Sequence, residues 1–320
     1  MIVNKDIKEI TQYLEELGIV DKGYFSNIAE AENRYEVMGA VCRVFKQHED
    51  KKVEYSFNIY KDLELGLFKL ENYYAKMLKL PEIDHAIFGH IDTRELEQRM
   101  AKVDWNLGAI PFPGNSRLSN AFYDLIDLVR LDDKKAIEIA EVLIVKYWSD
   151  TAMRELVNYS IGTAEYEKRM SFPLNMDTND VEEIQAFNIL DGRSVMKFEN
   201  PTEQNTDVYW IKEKDGQLVT FPDFDLSGIL KKLSWENPPN ELTGPEIILE
   251  MMAGNRVPAI MKAGKEPVQT FIECEAENAT ITLYNESGKQ MDLSGFVNKE
   301  STKRQSIKKP AKRKGKGRSL

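Results

Sequence analysis

"KVEYSFNIY" (residues 52–60) is the stretch on which the fold class turns. Val53, Tyr55, Phe57 and Ile59 alternate with Glu54, Ser56 and Asn58, a period of two that predicts a strand with one wet face. What precedes it has a different period. In KDIKEITQYLEEL (5–17), Ile7, Ile10, Tyr13, Leu14 and Leu17 fall on one helical stripe, and Gly18 is placed to stop it. A second helix is expected over 33–47. GLFKLENYYAK (66–76) is expected to pair with the strand as a hairpin.

Working outward, IDTRELEQRMAKV (91–103) reads as a capped helix with Thr93 at its start and acids early. PFPGNSR (111–117) is a turn cluster, because its prolines and glycine prevent regular structure. Helices follow over 117–130 and 132–148, the second with Ala136, Ile139, Ala140, Leu143 and Tyr147 on one face. SFPLNMDTND (171–180) is expected to be a linker. Beyond it come a helix at 181–190 and strands near 193–199, 206–213 and 217–222, the last two joined at Asp215-Gly216. A short helix is expected at 225–233. Thr243-Gly-Pro-Glu246 opens a further helix as a capping-box pattern, with Ile247, Ile248, Met251 and Met252 inward and Gly254 as its end. Strands at 256–262, 267–275 and 279–285 close the domain, and Ser287-Gly288 starts a last short pairing.

These elements predict an α+β protein. A mainly helical domain with a β-hairpin is expected over 1–170, a linker over 171–180, a small antiparallel-sheet-plus-helices domain over 181–296, and a disordered basic tail over 297–320.

Composition sets the class. A chain of 320 residues suits two domains, and 42% hydrophobic content is enough to bury real cores. No run of about 18 apolar residues occurs, so no membrane-spanning segment is expected. The first residues mix acids and bases, unlike a signal peptide. Cys42 and Cys274, far apart in sequence, read as buried thiols of a reducing cytoplasm.

The charge is divided. The whole chain carries -10, from 43 Lys and Arg against 53 Asp and Glu. Lys299–Leu320 holds ten cations and one acid, Glu300, a net of +9, so residues 1–298 carry -10 - 9 = -19.

Several stretches also carry a likeness. AFNILDGRSV (186–195), VYWIKEKDGQ (208–217), GNRVPAIMKAGKEPVQTFIE (254–273) and ITLYNESGKQM (281–291) resemble an uncharacterised domain of bacterial conjugative and mobile-element proteins, over residues 180–293. IFGHIDTREL (87–96) resembles a companion domain of those proteins. The resemblance implies a setting beside type IA topoisomerase or other DNA-processing modules. It implies no activity, and residues 100–170 fall outside it.

The motifs of familiar catalysis are missing. There is no GxSxG, GxxxxGK[ST] or GxGxxG pattern. His85 and His90, with Asp84 and Asp92 nearby, have neither the helical nor the finger spacing of a zinc site and read as turn residues. No enzyme activity, cofactor or metal is expected. Arg193, Arg256 and Lys265 lie in the turns of the resemblance, as a basic rim for phosphate or an acidic partner, or as solubility charges.

The tail is the candidate nucleic-acid contact, through Lys303, Arg304, Lys308, Lys309, Lys312, Arg313, Lys314, Lys316 and Arg318. Clustered cations neutralise phosphates and release counterions. The tail has no aromatic residue, so it cannot stack on bases, and its contact is expected to be independent of sequence. Besides an enzyme with an unrecognised site in the unmatched helical region, two readings stay open. One is a nucleic-acid-associated accessory protein, working with DNA-processing proteins. The other is a protein-interaction adaptor whose tail meets an acidic protein or its own acidic body. A membrane role is not expected, for want of a second anchor.

Overall fold

The computed structural model describes residues 3–24, 40–49, 51–62, 64–106, 116–149, 151–153, 166–175, 179–199, 207–236, 243–264 and 266–297. The chain is α+β, with helices set beside antiparallel sheets. Among the described residues no helix is long and apolar enough to cross a membrane.

A six-stranded sheet is built from β1 (Val3–Lys5), β2 (Ala40–His48), β3 (Lys51–Asp62), β4 (Leu67–Leu70), β5 (Asn72–Leu78) and β8 (Glu167–Pro173). Its order is β1-β4-β3-β5-β8, with β2 also on β3. Val53, Tyr55, Phe57 and Ile59 are buried as the alternation predicts, but Glu54, expected on the wet face, is buried as well and pairs with Arg43. Residues 66–76 do not form one partner strand. They break at Glu71 into β4 and β5, which flank β3 on either side. Helix α1 (Ile7–Glu16) packs on β4. Its start is a capping box, with the Glu9 amide donating to Asp6 Oδ1 at 2.9 Å, and Gly18 leaves it at φ +76°.

Two expectations here need correction. Residues 40–47 are strand, not helix; of the expected 33–47 helix, 33–39 lie outside the described residues. The reason is visible in AVCRVFKQH: from Cys42 onward the odd side of the strand faces water at Arg43, Phe45 and Gln47, a period of two. Among the described residues of the N-terminal part, strands therefore take up nearly as much of the chain as helices. The stretch 171–180 is not a linker either. It ends β8 at Pro173, buries Phe172 and Leu174, and returns to a buried Asp180; residues 176–178 lie outside the described residues. Phe172 and Leu174 alternate with Ser171 and Pro173, a strand pattern masked by the polar residues around it.

The chain divides into two compact units that are interleaved in sequence. One comprises Met1–His48, Glu54–Ala75 and Met170–Leu320, and the other Glu49–Val53 and Lys76–Arg169. The expected division at 171–180 is replaced by this one.

The second unit holds the hairpin β6 (Ile87–Phe88) and β7 (Ile91–Asp92), then α2 (Thr93–Met100), α3 (Ser116–Val129) and α4 (Lys134–Trp148). Leu96, Met100, Leu125, Leu128, Ile139 and Leu143 pack together with Trp105 and Trp148. Asp92, not Thr93, caps α2, accepting from the Arg94 amide at 2.8 Å. Thr93 is fully buried and bonds both backbone groups of Ala86. The turn expected at 111–117 falls mostly outside the described residues, and its Ser116 and Arg117 belong to α3.

In the first unit, after β8, come α5 (Glu183–Leu190), the sheet of β9 (Val195–Phe198), β10 (Val208–Lys214) and β11 (Gln217–Pro222), and α6 (Leu226–Leu230). Asp215 and Gly216 both have positive φ, the paired left-handed residues of a tight hairpin turn. Helix α7 (Thr243–Met252) leads into a four-stranded sheet, ordered β12 (Val257–Ala263), β13 (Glu266–Glu275), β14 (Thr280–Tyr284) and β15 (Gln290–Met291). Trp210, Met251, Met261, Ile272 and Leu283 form its core, with Ile247, Ile248 and Met252 packed against them.

Candidate functional site

The nine tail cations proposed for phosphate contact, and Lys265, lie outside the described residues. What the structure does place are the motifs of residues 180–293, and it brings them to one point.

Beyond the end of α5 the chain turns at Gly192, at φ +85°, and folds back so that Arg193 lies against the helix. The Arg193 amide donates to the Asn188 carbonyl at 2.8 Å. Its guanidinium donates to Asn188 Oδ1 at 3.1 Å and to Asp191 Oδ2 at 2.8 Å. Asn188 is fully buried. Its side-chain amide donates onward to the Ala253 carbonyl at 2.9 Å and to Asn255 Oδ1 at 2.7 Å. Gly254, between them, has φ +85°; a β-carbon there would stand 2.9 Å from Val195 Cγ2 and 3.1 Å from the Ser194 carbonyl. Only glycine fits so close an approach.

From the sheet, Glu273 of β13 receives two cations. Arg256 Nε bonds its Oε1, and Arg193 Nε lies 3.6 Å from the same oxygen. The Arg256 guanidinium stacks 4.6 Å from the Tyr284 ring centroid, and that of Arg193 lies 5.3 Å from the Phe187 ring. Both expectations for Arg193, a basic rim or a solubility charge, are corrected here. At 4% exposure it is a structural cation, held because buried charge must be paired. Arg256 is also committed to Glu273, but its side chain keeps 28% exposure.

A second buried cluster, missed in the sequence, lies in the same unit. The Tyr13 hydroxyl bonds the Asp180 carboxylate, which also accepts from the Asn175 amide at 2.8 Å. Tyr73 donates to the Val181 carbonyl at 2.7 Å and Tyr55 to the Glu183 carbonyl at 3.0 Å. The Glu183 carboxylate bonds His48 Nε2, and the His48 ring stacks 4.7 Å from Phe187. Lys197 Nζ donates to the Asp180 carbonyl at 3.0 Å and to Gln185 Oε1 at 2.9 Å. Burial first, then the charge of Glu183, pushes the Tyr55 hydroxyl far above the ordinary phenol range. Burial also drives Tyr73 well upward. Both remain neutral donors, suited to fixing the backbone around 180–183 and not to shuttling protons. The available signal was that Tyr55 and Tyr73 sit at inward positions of strands, where a buried hydroxyl demands a partner.

The histidine pair does not converge. His85 Nε2 lies 3.0 Å from Glu97 Oε2 and its Nδ1 3.2 Å from Thr93 Oγ1, while His90 is exposed in the β6–β7 turn. Burial raises the Glu97 carboxyl, but the bond and charge of Lys146 at 2.7 Å, with His85, outweigh it and hold the group below its ordinary value. Among the described residues no group of three or more His, Cys, Asp or Glu could hold a metal ion. Cys42 and Cys274 are both buried and in no disulfide, and burial pushes the Cys274 thiol well up.

The arrangement is thus two charge-matched clusters that share Phe187, one fixing the return of α5 onto the last sheet and the other anchoring α5 to the six-stranded sheet. Comparison with models of known protein families, with characterised proteins and with solved structures finds no match to this chain.

Proposed function

We propose that the protein is a non-enzymatic, cytoplasmic accessory protein of a mobile genetic element, which associates with nucleic acid through its C-terminal tail without regard to sequence. DNA-processing proteins are the partners this reading supplies for the acidic remainder of the chain. The single observation that carries it is the charge division, +9 on Lys299–Leu320 against -19 on residues 1–298. Several surface cations of the described body pair with neighbouring acids: Lys135 with Asp84, Lys146 with Glu97, Lys214 with Glu277 and Lys262 with Glu236. A long-range attraction to phosphate therefore has its natural source in the tail.

The test is equilibrium binding to labelled duplex across a salt series. On duplex DNA the slope of log K against log salt is about -0.9 per phosphate neutralised, so engagement of half the tail gives about -4 to -5. Replacing Lys308, Lys309, Lys312, Arg313, Lys314, Lys316 and Arg318 with glutamine should remove most of the affinity and flatten the slope. Unchanged affinity and slope would sink the reading. The adaptor reading, in which the same tail meets an acidic protein or the acidic body, would then stand in its place; a partner retained on the protein through nuclease treatment is its signature.

A further inference from the structure

The tail lacks the aromatic residues needed to hold bases, but the sheet beside which it starts does not. In β12–β15, Val257, Ala259, Met261, Ile272, Ile281 and Leu283 face the core. The opposite face carries Pro258, Phe271 and Tyr284 in one row, because Pro258 pairs with Phe271 and Phe271 with Tyr284. Ile260, one step along the same face, is 44% exposed, and Pro258 is exposed; Phe271 and Tyr284 are half-buried. Side chains directly opposite on paired strands stand about 5 Å apart at their β-carbons, so the two aromatic residues are neighbours on this face. The Arg256 guanidinium lies over Tyr284, held there by its bond to Glu273.

We propose that this outer face is a stacking platform for the bases of single-stranded nucleic acid. The inference rests on the function proposed above and adds to it a base contact that the tail cannot make. Two observations select this occupant. Aromatic rings on neighbouring strands, one of them carrying a guanidinium plane over its face, are the groups on which unpaired bases stack. The chain also leaves the described structure beside this sheet. Val297 bridges Leu233, the Ser234 amide donates to the Phe296 carbonyl at 2.7 Å, and the Ser234 carbonyl accepts from Lys262 of β12 at 2.7 Å. From there the 22 residues of Lys299–Leu320 can extend about 70 Å, enough to follow the phosphates of a strand laid across the face. A duplex, with its bases already stacked, can use only the tail.

The full chain is titrated with a short oligothymidylate, the matching oligouridylate and a duplex of equal length. The wild type should bind the single strands more tightly than the duplex. Phe271→Leu and Tyr284→Leu together keep apolar bulk but remove both rings. They should lower single-strand affinity by about tenfold or more, at the alanine-scan worth of a stacked base, with duplex affinity and salt slope unchanged. Equal loss on DNA and RNA strands marks stacking alone; loss on one only assigns the natural strand. In parallel, an oligonucleotide carrying 5-iodouracil is photocrosslinked to the wild type, a readout that survives if the variant does not fold. Crosslinks at Phe271 or Tyr284 are expected. Crosslinks confined to the tail, or a double variant that folds and binds single strands as before, overturn the platform and leave the tail reading intact. A change of oligomeric state with unaltered binding overturns it in favour of a second copy on this face. Absence of binding to every probe overturns both.

Discussion

Replacing Gly254 with alanine tests whether the return of α5 onto the last sheet is as tight as the geometry shows. Two costs add. At φ +85° the residue sits in the left-handed region, where a β-carbon meets the following carbonyl, worth about 1–2 kcal/mol. The new methyl also stands 2.9 Å from Val195 Cγ2, 3.0 Å from Asn188 Cβ and 3.1 Å from the Ser194 carbonyl. Overpacking of that kind costs about 1–3 kcal/mol, and here one of the neighbours is backbone. Gly264→Ala is the control. Its φ is +72°, yet nothing lies within 4 Å of the added carbon, so only the backbone cost applies. The gain from a stiffer unfolded chain is common to both variants and cancels. The expected losses are about 2–5 kcal/mol for Gly254→Ala and about 1–2 for Gly264→Ala. With a urea dependence of about 3 kcal/mol/M, the first lowers the midpoint by about 1 M. Urea unfolding by circular dichroism measures the difference, and amide exchange over 186–198 and 254–263 locates it. If Gly254→Ala costs no more than Gly264→Ala, the close approach described here is wrong.

Two further outcomes follow from charge. Glu273→Gln keeps the volume but strips the shared carboxylate from Arg193 and Arg256; breaking a buried pair from one side costs about 3–5 kcal/mol, and a loss under about 1 kcal/mol in urea would show that Asp191 alone satisfies Arg193. Because the Glu97 carboxyl is held below its ordinary value of 4.5, its stabilising contribution is complete above that pH and is lost as pH falls through the lowered folded value. Glu97→Gln should therefore flatten the acid limb of unfolding in the unit that holds Trp105 and Trp148, followed by their fluorescence. A limb identical to wild type would contradict the pairing with Lys146.

Much of the architecture was legible because local pattern and tertiary burial agree. The inward residues of Val53–Ile59, the Asp215-Gly216 turn and the Ala136–Leu143 face each state their own environment, and the fold uses them so, while Glu54 is buried against the expectation of a wet face. Residues 40–47 misled because their apolar positions, Val41, Cys42, Val44 and Phe45, fit a helical stripe as well as a strand at short range. The partner strand β3 decides between them, and no window of sequence contains it. Arg193 was misplaced for a related reason. A lone arginine after Asp-Gly reads as surface charge until Glu273, eighty residues on, is found against it. The tyrosines show the same limit: the local patterns place Tyr13 and Tyr55 inward, but the groups that satisfy their hydroxyls, the Asp180 carboxylate and the Glu183 carbonyl, lie more than a hundred residues away.

The interleaving of the two units has a consequence for how the chain is made. The ribosome releases Lys76–Arg169 before it has finished β8, the strand that lies against β5, and long before α7 and the last sheet exist. The segment that holds α2, α3 and α4 is complete in itself and rich in near-neighbour contacts, the kind that form fastest. It can settle while β3, β4 and β5 wait, with one edge of their sheet still open, for a strand nearly a hundred residues downstream. During that interval the waiting edge is the chain's point of exposure to misassembly. A pause in translation placed shortly after residue 170 would lengthen the hazard, and one placed after β8 has cleared the exit tunnel would end it.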